Sequence, residues 1–442
     1  MTKSPLLPQE VHEELSKTIL VDGFDYVLDL DKSKGTYIHD AKSGKKYLDL
    51  FTFFASGPIG FNHPHLTAEE SKKALLRAAT HKPSNSDVYT VDMADFVKTF
   101  RECAMPKSFR YAFFIEGGAL AVENALKVAF DYKVQRNFQK GATREIGTKV
   151  IHFRNAFHGR TGYTLSLTNT LPDKINYFPK FKWPRFDTPG IEFPKNEESD
   201  DRVRAAEKRI LQQIRWTGKQ DGDDIAAIIL EPIQSEGGDV HFRREFLQGL
   251  RDLCDEYDWL LIYDEVQTGF GITGKMWAHE HFGVEPDLVA FGKKAQVCGI
   301  MARDTVDRVA NNVFHVPSRI NSTWGGNLID MVRCRLYLEA IKKEAMIENA
   351  AKQGQRLLEG LHAIERDFPK FVFGARGLGL LCAFTFHHAA QRKHFVDLME
   401  QNGAMILTCG PTSVRFRPPL NISSAEVDEA LRIVRASLQS LK

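Results

Sequence analysis

Cysteine is scarce and never paired at ligand spacing. The six in 442 residues are Cys103, Cys254, Cys298, Cys334, Cys382 and Cys409, and no two of them form a CxxC. That excludes a zinc ribbon and argues against a disulfide frame; a reduced, cytoplasmic interior suits them better. Long apolar runs are missing too. No segment approaches the roughly 18 apolar residues of a membrane span, and the N-terminus, MTKSPLLPQEVHEEL, turns polar too soon for a signal-peptide core. Neither sign of charge dominates. The 59 Lys and Arg against 57 Asp and Glu leave a formal +2, which gives no field to gather nucleic acid or an anionic membrane. The histidine pairs His279-Glu280-His281 and His387-His388 lack HExxH spacing, and helix positions two apart face different ways, so no metal is expected. No internal repeat or low-complexity segment is visible.

What remains is ordinary globular composition, 43% hydrophobic and 26% charged, in a chain long enough for two or three domains. Residues 1–75 read as a lead-in. A short helix is expected near Glu10 to Leu20, then an antiparallel meander through Tyr26–Asp31, Thr36–Ile38 and Lys46–Phe51. The following stretch, Phe53 to Pro64, is apolar and rich in Gly and Pro, a candidate pocket or interface lining. Residues 76–325 alternate between strand and helix. Tyr111–Ile115, Lys149–Phe153, Ala226–Leu230, Trp259–Tyr263 and Asp287–Phe291 are the candidate strands; Ala119–Gln135, Asp201–Trp216 and Arg243–Tyr257 are the helices. This pattern predicts an α/β domain with a mostly parallel sheet between helices. Residues 326–442 predict a smaller α+β domain. It has helices at Ile329–Lys343, Met346–Asp367 and from Ser424, with strands at Phe371–Phe373, Leu380–Phe386 and Val414–Phe416.

The chemistry concentrates where apolar runs end. One run ends in Asp264 and Glu265, another in Gly292, Lys293 and Lys294. Ligands gather at the carboxyl ends of parallel strands, so an acid and a lysine could meet in one crevice. Between them, Gly269-Phe-Gly-Ile-Thr-Gly fits GxGxxG, which would suit a nucleotide-dependent enzyme. The glycines do not follow the strand directly, and the intervening carboxylates would repel a pyrophosphate. A P-loop reading fails at Met276, where a hydroxyl is needed. Glu116-Gly-Gly-Ala precedes a helix and reads either as an anion site built from free amides or as a tight turn. Phe157-His-Gly-Arg-Thr-Gly offers an aromatic, an imidazole and a guanidinium on a strand-end loop, suited to a flat ring and an anion. Glu231–Asp239 is another acid-bearing strand end. Arg415 and Arg417 are carboxylate binders or surface residues.

Together these segments resemble the class III (ω) aminotransferases, pyridoxal-phosphate enzymes of fold type I. The resemblance rests on Asp264-Glu-Val-Gln-Thr-Gly-Phe-Gly-Ile-Thr-Gly, on Pro286-Asp through Lys293, and on Arg415-Phe-Arg-Pro-Pro. It runs from Tyr47-Leu-Asp nearly to the end of the chain. Phrases such as FTFFAS, PSNSDVYT, FHGRTGYTLSLTNT, FGKKAQVCGIMA and NSTWGGN resemble the lysine-using branch more than the ornithine or γ-aminobutyrate branches. Three departures stand out: Ser235 where Gly is usual, Ile272 where Arg is common, and Ala295-Gln-Val-Cys in place of a glycine run.

The resemblance implies roles. Lys293 would hold the aldehyde of pyridoxal 5'-phosphate as a Schiff base and then move the proton; the family's spacing from Pro286 selects it over Lys294. Asp264 would pair with the ring nitrogen and Gln267 with the ring oxygen. Phe157 would stack on the ring, while Gly118 and Ala119 would bind the phosphate through backbone amides. Thr323 would reach the phosphate in a partner subunit, which implies a homodimer with shared sites. Arg160 would hold the substrate's α-carboxylate. Glu236 would neutralise Arg415 for lysine and swing aside for 2-oxoglutarate or L-glutamate. Asn321, near Thr323, is a further candidate at the substrate. The implied reaction is ping-pong transfer of the ε-amine of L-lysine to 2-oxoglutarate, leaving a semialdehyde that can cyclise.

Overall fold

A computed structural model describes residues 6–441; the first five residues of the polar N-terminus, and Lys442, lie outside it. The organising element is a seven-stranded sheet. Its spatial order is Phe109–Ile115, Cys298–Arg303, Leu288–Phe291, Leu260–Asp264, Ile225–Leu230, Lys149–Phe153 and Arg185–Phe186. All pairings are parallel except those of Cys298–Arg303, which runs antiparallel to both neighbours.

The central strands Ile225–Leu230 and Leu260–Asp264 are apolar up to the terminal Asp264 because both faces are covered. Ala227, Ile229, Leu260 and Ile262 pack with Ala121, Val122, Ala125 and Ala129 of the helix Gly118–Gln139. The alternate residues, Ile228, Leu230, Leu261 and Tyr263, pack with Phe246, Leu247 and Leu250 of the helix Arg244–Tyr257. Period-two alternation is thus intact; it is hidden in the sequence because both sides of it are apolar. The third helix, Glu197–Asp221, starts where the Asn196 side chain accepts the Ser199 N–H at 2.9 Å.

The strand Cys298–Arg303 was not anticipated. Its antiparallel return after Lys294 breaks the strand–helix alternation. Gly299 lies so close to the Phe109–Ile115 strand that a Cβ would meet the Phe113 carbonyl oxygen at 2.3 Å. Near the N-terminus, the expected helix is shorter, a Pro8–Glu10 turn leading into Val11–Ser16. The expected meander is reduced to Tyr37–His39 and Lys46–Asp49, with only a Leu28–Asp40 bridge from the first stretch. Its third strand comes from the far end of the chain: Ala404–Met405 pairs parallel with Lys46–Asp49. A separate four-stranded sheet joins Val372–Leu378, Leu381–Phe386, Ser413–Phe416 and Leu407–Cys409. It packs with Met346–Asp367 and Ser424–Gln439 in one apolar cluster.

The apolar stretch after Asp49 does line a cavity, of about 300 Å³, with Phe53, Ile59 and Phe61 among its walls. Thr52 to Ala55 hold φ between 41° and 64°, a left-handed turn made without glycine. Such a run is unfavourable on its own and persists only where surroundings over-determine it. Asp49 supplies part of that constraint by accepting the N–H groups of Phe51 and Thr52 at 3.0 and 2.7 Å. Among the described residues, no helix is long and apolar enough to cross a membrane.

Candidate active site

A cavity of about 390 Å³ opens at the carboxyl ends of the parallel strands. Gly118, Ala119, Phe157, Arg160, Glu236, Asp264, Gln267 and Lys293 all line it. The register pairs Asp264 with Ala290 on the adjacent strand, which brings the acid and Lys293 together from neighbouring strand ends.

Asp264 is buried and held from two sides. Its Oδ1 accepts the Val266 N–H at 3.0 Å, and its Oδ2 accepts Nδ1–H of the buried His158 at 2.8 Å. The imidazole lines the cavity as well as holding Asp264, and its Nε2 has no hydrogen-bond partner. Glu231, the first acid of the Glu231–Asp239 strand end, also lines the cavity wall. Its two oxygens accept the N–H groups of Phe157 at 3.0 Å and Ser235 at 3.1 Å, tying two site loops to one strand end. Burial, with Asp264 nearby, pushes its carboxyl up to about 7. The Ser235 hydroxyl turns back to the Ile233 carbonyl.

The two lysines separate cleanly. Lys293, at φ 50°, faces the cavity, and burial together with the positive field of Arg415 brings its amine down to about 8. Lys294 points the other way. It is 1% exposed and donates to the carbonyls of Gln267 at 2.6 Å and Ala55 at 3.3 Å. The acids divide likewise. Glu265 faces the scaffold, accepting from Thr268 Oγ1, the Ala278 and His279 amides and His279 Nδ1 at 2.7–2.9 Å.

At the far wall the helix Gly118–Gln139 begins after Gly117, whose φ is 93°. A Cβ on Gly118 would meet Val266 Cγ1 at 2.9 Å. The helix start therefore presents its amides in a space only a glycine backbone leaves open. The carboxylate-binding candidates are unlike each other. Arg160 is exposed and has no ion pair among the described residues. Arg415 is 2% exposed and donates to Glu236 Oε2 at 3.1 Å and Gln267 Oε1 at 3.0 Å. Lys174, unforeseen, donates to the other Glu236 oxygen. Burial opposes the Glu236 charge, but Arg415 and Lys174 outweigh it and hold the carboxyl below its usual range.

Thr323 and Asn321 are not part of this cavity. Both are exposed; the Thr323 carbonyl accepts from Ser84 Oγ, and Asn321 Oδ1 accepts the Ser322 N–H at 2.8 Å. The GFGITG loop is no phosphate cradle. A Cβ on Gly269 would strike the Trp277 ring at 2.5 Å, Phe270 and Ile272 are buried, and Gly379 packs on the Thr273 main chain. The His279-Glu-His segment is a short 3-10 turn in which His279 serves Glu265 and His281 serves Thr273.

Comparison with known proteins agrees over nearly the whole length. The family model described as aminotransferase class-III matches residues 21–438. The L-lysine-epsilon aminotransferase of Mycobacterium tuberculosis is 51% identical over 435 residues, covering 98% of this chain and 96% of that one. The enzyme of the same name from Streptomyces clavuligerus is 45% identical over 98% of this chain and 95% of its own. A solved structure of lysine aminotransferase from M. tuberculosis superposes with a TM-score of 0.97 at 50% identity, over 99% of this chain and 100% of that one. The cavity fits the family's cofactor. It offers an amine of lowered basicity, an anchored carboxylate and a helix start where only glycine fits. The chain belongs to the class III aminotransferases, enzymes of the fold type I architecture that work with pyridoxal phosphate.

Proposed function

We propose that the protein transfers the ε-amino group of L-lysine to 2-oxoglutarate, giving 2-aminoadipate 6-semialdehyde, which cyclises, and L-glutamate. The observation that carries this reading is the contrast between two arginines. Arg160 is open to solvent and free of an ion pair among the described residues, while Arg415 is buried and already matched by Glu236 at 3.1 Å. One open and one masked carboxylate site suits a donor with a single carboxylate, followed by an acceptor with two. The names of the relatives in two bacterial genera supply lysine as the donor.

Pyridoxal phosphate, when bound, supplies an aldehyde that exchanges with amines and an electron-poor ring that stabilises charge left by C–H cleavage. Lys293 is the residue to hold that aldehyde and then carry the proton from the ε-carbon, a task its amine near 8 suits at neutral pH. Asp264, kept in place by His158 and the Val266 amide, would pair with the ring nitrogen and favour its protonated form. Phe157, Gln267, Gly118 and Ala119 all line the cavity; Phe157 would lie against the ring, Gln267 would reach the ring oxygen, and the Gly118 and Ala119 amides would take the phosphate. Arg160 holds the α-carboxylate of lysine. Glu236 rotates off Arg415 when 2-oxoglutarate or glutamate brings a second carboxylate.

Thr323 lies outside the cavity of its own chain, so its phosphate contact belongs to a homodimer in which each subunit completes the other's site; Asn321 on the same loop would then approach substrate. We assign residues 76–325 to the cofactor domain and 1–75 with 326–442 to the smaller one, which the Ala404–Leu48 pairing supports, with the first boundary falling inside the helix Glu69–Thr80. Six free cysteines, five of them buried, accord with a cytoplasmic enzyme. Turnover of lysine, ornithine and γ-aminobutyrate with 2-oxoglutarate tests the donor. Lysine is expected to be fastest, and faster use of ornithine or γ-aminobutyrate overturns the assignment.

A further inference from the structure

Glu236 is held by two cations in unlike positions. Arg415 Nη2 donates to Oε2 at 3.1 Å, and Lys174 Nζ donates to Oε1. The Arg415 side chain is 2% exposed, whereas those of Lys174 and Glu236 are 28% and 22% exposed. Lys174 ends a short turn, Pro172–Lys174, and its ammonium lies 5.3 Å from the centroid of the Phe157 ring. The Glu236 main chain is pinned, since its carbonyl accepts the Gly410 N–H at 2.8 Å. Displacement of the carboxylate is therefore a side-chain rotation.

We propose that Lys174 receives the Glu236 carboxylate when a substrate carboxylate displaces it from Arg415, so that Lys174 is a positioning residue setting affinity for dicarboxylate substrates. The inference rests on the amine-transfer reading above. Because the two cations use different oxygens, Glu236 can rotate off Arg415 without leaving Lys174. The path away from a buried guanidinium leads toward solvent, and Lys174 stands on that side. Without it, a half-buried carboxylate would be stranded beside the incoming one, unpaired and facing a like charge. A donor with one carboxylate asks for no such movement. Lys174 thus matters for one half-reaction and not the other.

The wild-type enzyme comes first: transfer from lysine to 2-oxoglutarate tests the underlying reading independently of Lys174. Holoenzymes carrying Lys174→Met, Lys174→Gln and Lys174→Arg are then titrated with glutarate, a dicarboxylate with no keto group to react. Single-turnover rates are measured separately with lysine and with glutamate. Met and Gln should weaken glutarate binding about three- to fivefold, the scale of a partly exposed ion pair. They should raise the half-saturating glutamate concentration similarly and leave the lysine half-reaction within about twofold. Arg should restore wild-type behaviour. In a Glu236→Gln background, Lys174→Met should no longer alter glutarate binding. Tighter glutarate binding in Lys174→Met would mean that Lys174 only locks Glu236 shut. Equal losses in both half-reactions would mean a general structural role, and no change would make Lys174 a bystander. Each of these results overturns the proposal.

Discussion

Two doublets of like residues, Asp264-Glu265 and Lys293-Lys294, end adjacent strands, and in each the members face opposite ways. Asp264 and Lys293 line the cavity. Glu265 is saturated by four donors, one from Thr268 and three from the Ala278–His281 turn, and Lys294 by two main-chain carbonyls. Chemically the neighbours are almost interchangeable; only the direction of the side chain separates reagent from scaffold. Asp264 closes its strand, so register sets its direction; Lys293 lies in the turn after Phe291, and its φ of 50° helps to turn it away from Lys294.

The sharpest way to break this comparison is to exchange the lysines. Lys293→Ala should abolish the visible absorption of the bound cofactor, prevent borohydride trapping and lower turnover by about 10⁴-fold, the upper range for a lost acid–base group. Lys294→Met should keep the absorption band. A visible band in the first variant, or its loss in the second, would reverse the assignment. The acids make a similar pair. Asp264→Asn should cost about 10³-fold in turnover with little change in urea midpoint. Glu265→Gln should cost about 2–4 kcal/mol of stability, because it leaves buried donors unmatched, while chemistry in the folded fraction survives.

A smaller effect separates the two arginines. Arg160→Lys should raise the Michaelis constant for lysine about tenfold with kcat nearly kept, since bidentate geometry is lost; an unchanged constant would contradict the role given to Arg160. The smallest effect is on pH. The Lys293 amine is lowered to about 8, so its neutral, nucleophilic fraction grows as pH rises and levels off above that value. Cofactor capture by apoenzyme should follow the same curve. Removing Arg415, a source of the lowering, should move the midpoint upward; a midpoint near 10.5 in the wild type would show that Lys293 is not desolvated.

Much of this was legible in the sequence, for physical reasons that differ by region. Ile225–Leu230 throughout, and Leu260–Asp264 as far as Tyr263, are apolar because helices cover both faces, and such runs announce themselves. Cys298–Arg303 did not, because its pairing depends on a close approach at Gly299 that only the neighbouring strand defines. Within the site, Asp264 and Lys293 stood out as charges at strand ends. His158 stood beside Phe157 in plain view, yet its direction toward Asp264 is fixed by the loop and not by local pattern. Lys174 carried no signal at all: it lies in an ordinary polar turn, and its meaning comes from Glu236, far along the chain.

The pairing of Ala404–Met405 with Lys46–Asp49 bears on how the chain is made. A ribosome delivers the first strand of that small sheet long before its last partner exists. Closing so large a loop carries an entropic cost that early contacts cannot offset, so this sheet should complete late. The central α/β sheet, whose strands all lie between residues 109 and 303, can assemble first and serve as the template. Truncation before residue 404 would then leave a chain with a formed cofactor cradle and a Lys46–Asp49 strand paired with Tyr37–His39 on one edge and bare on the other, a state more prone to association than to catalysis.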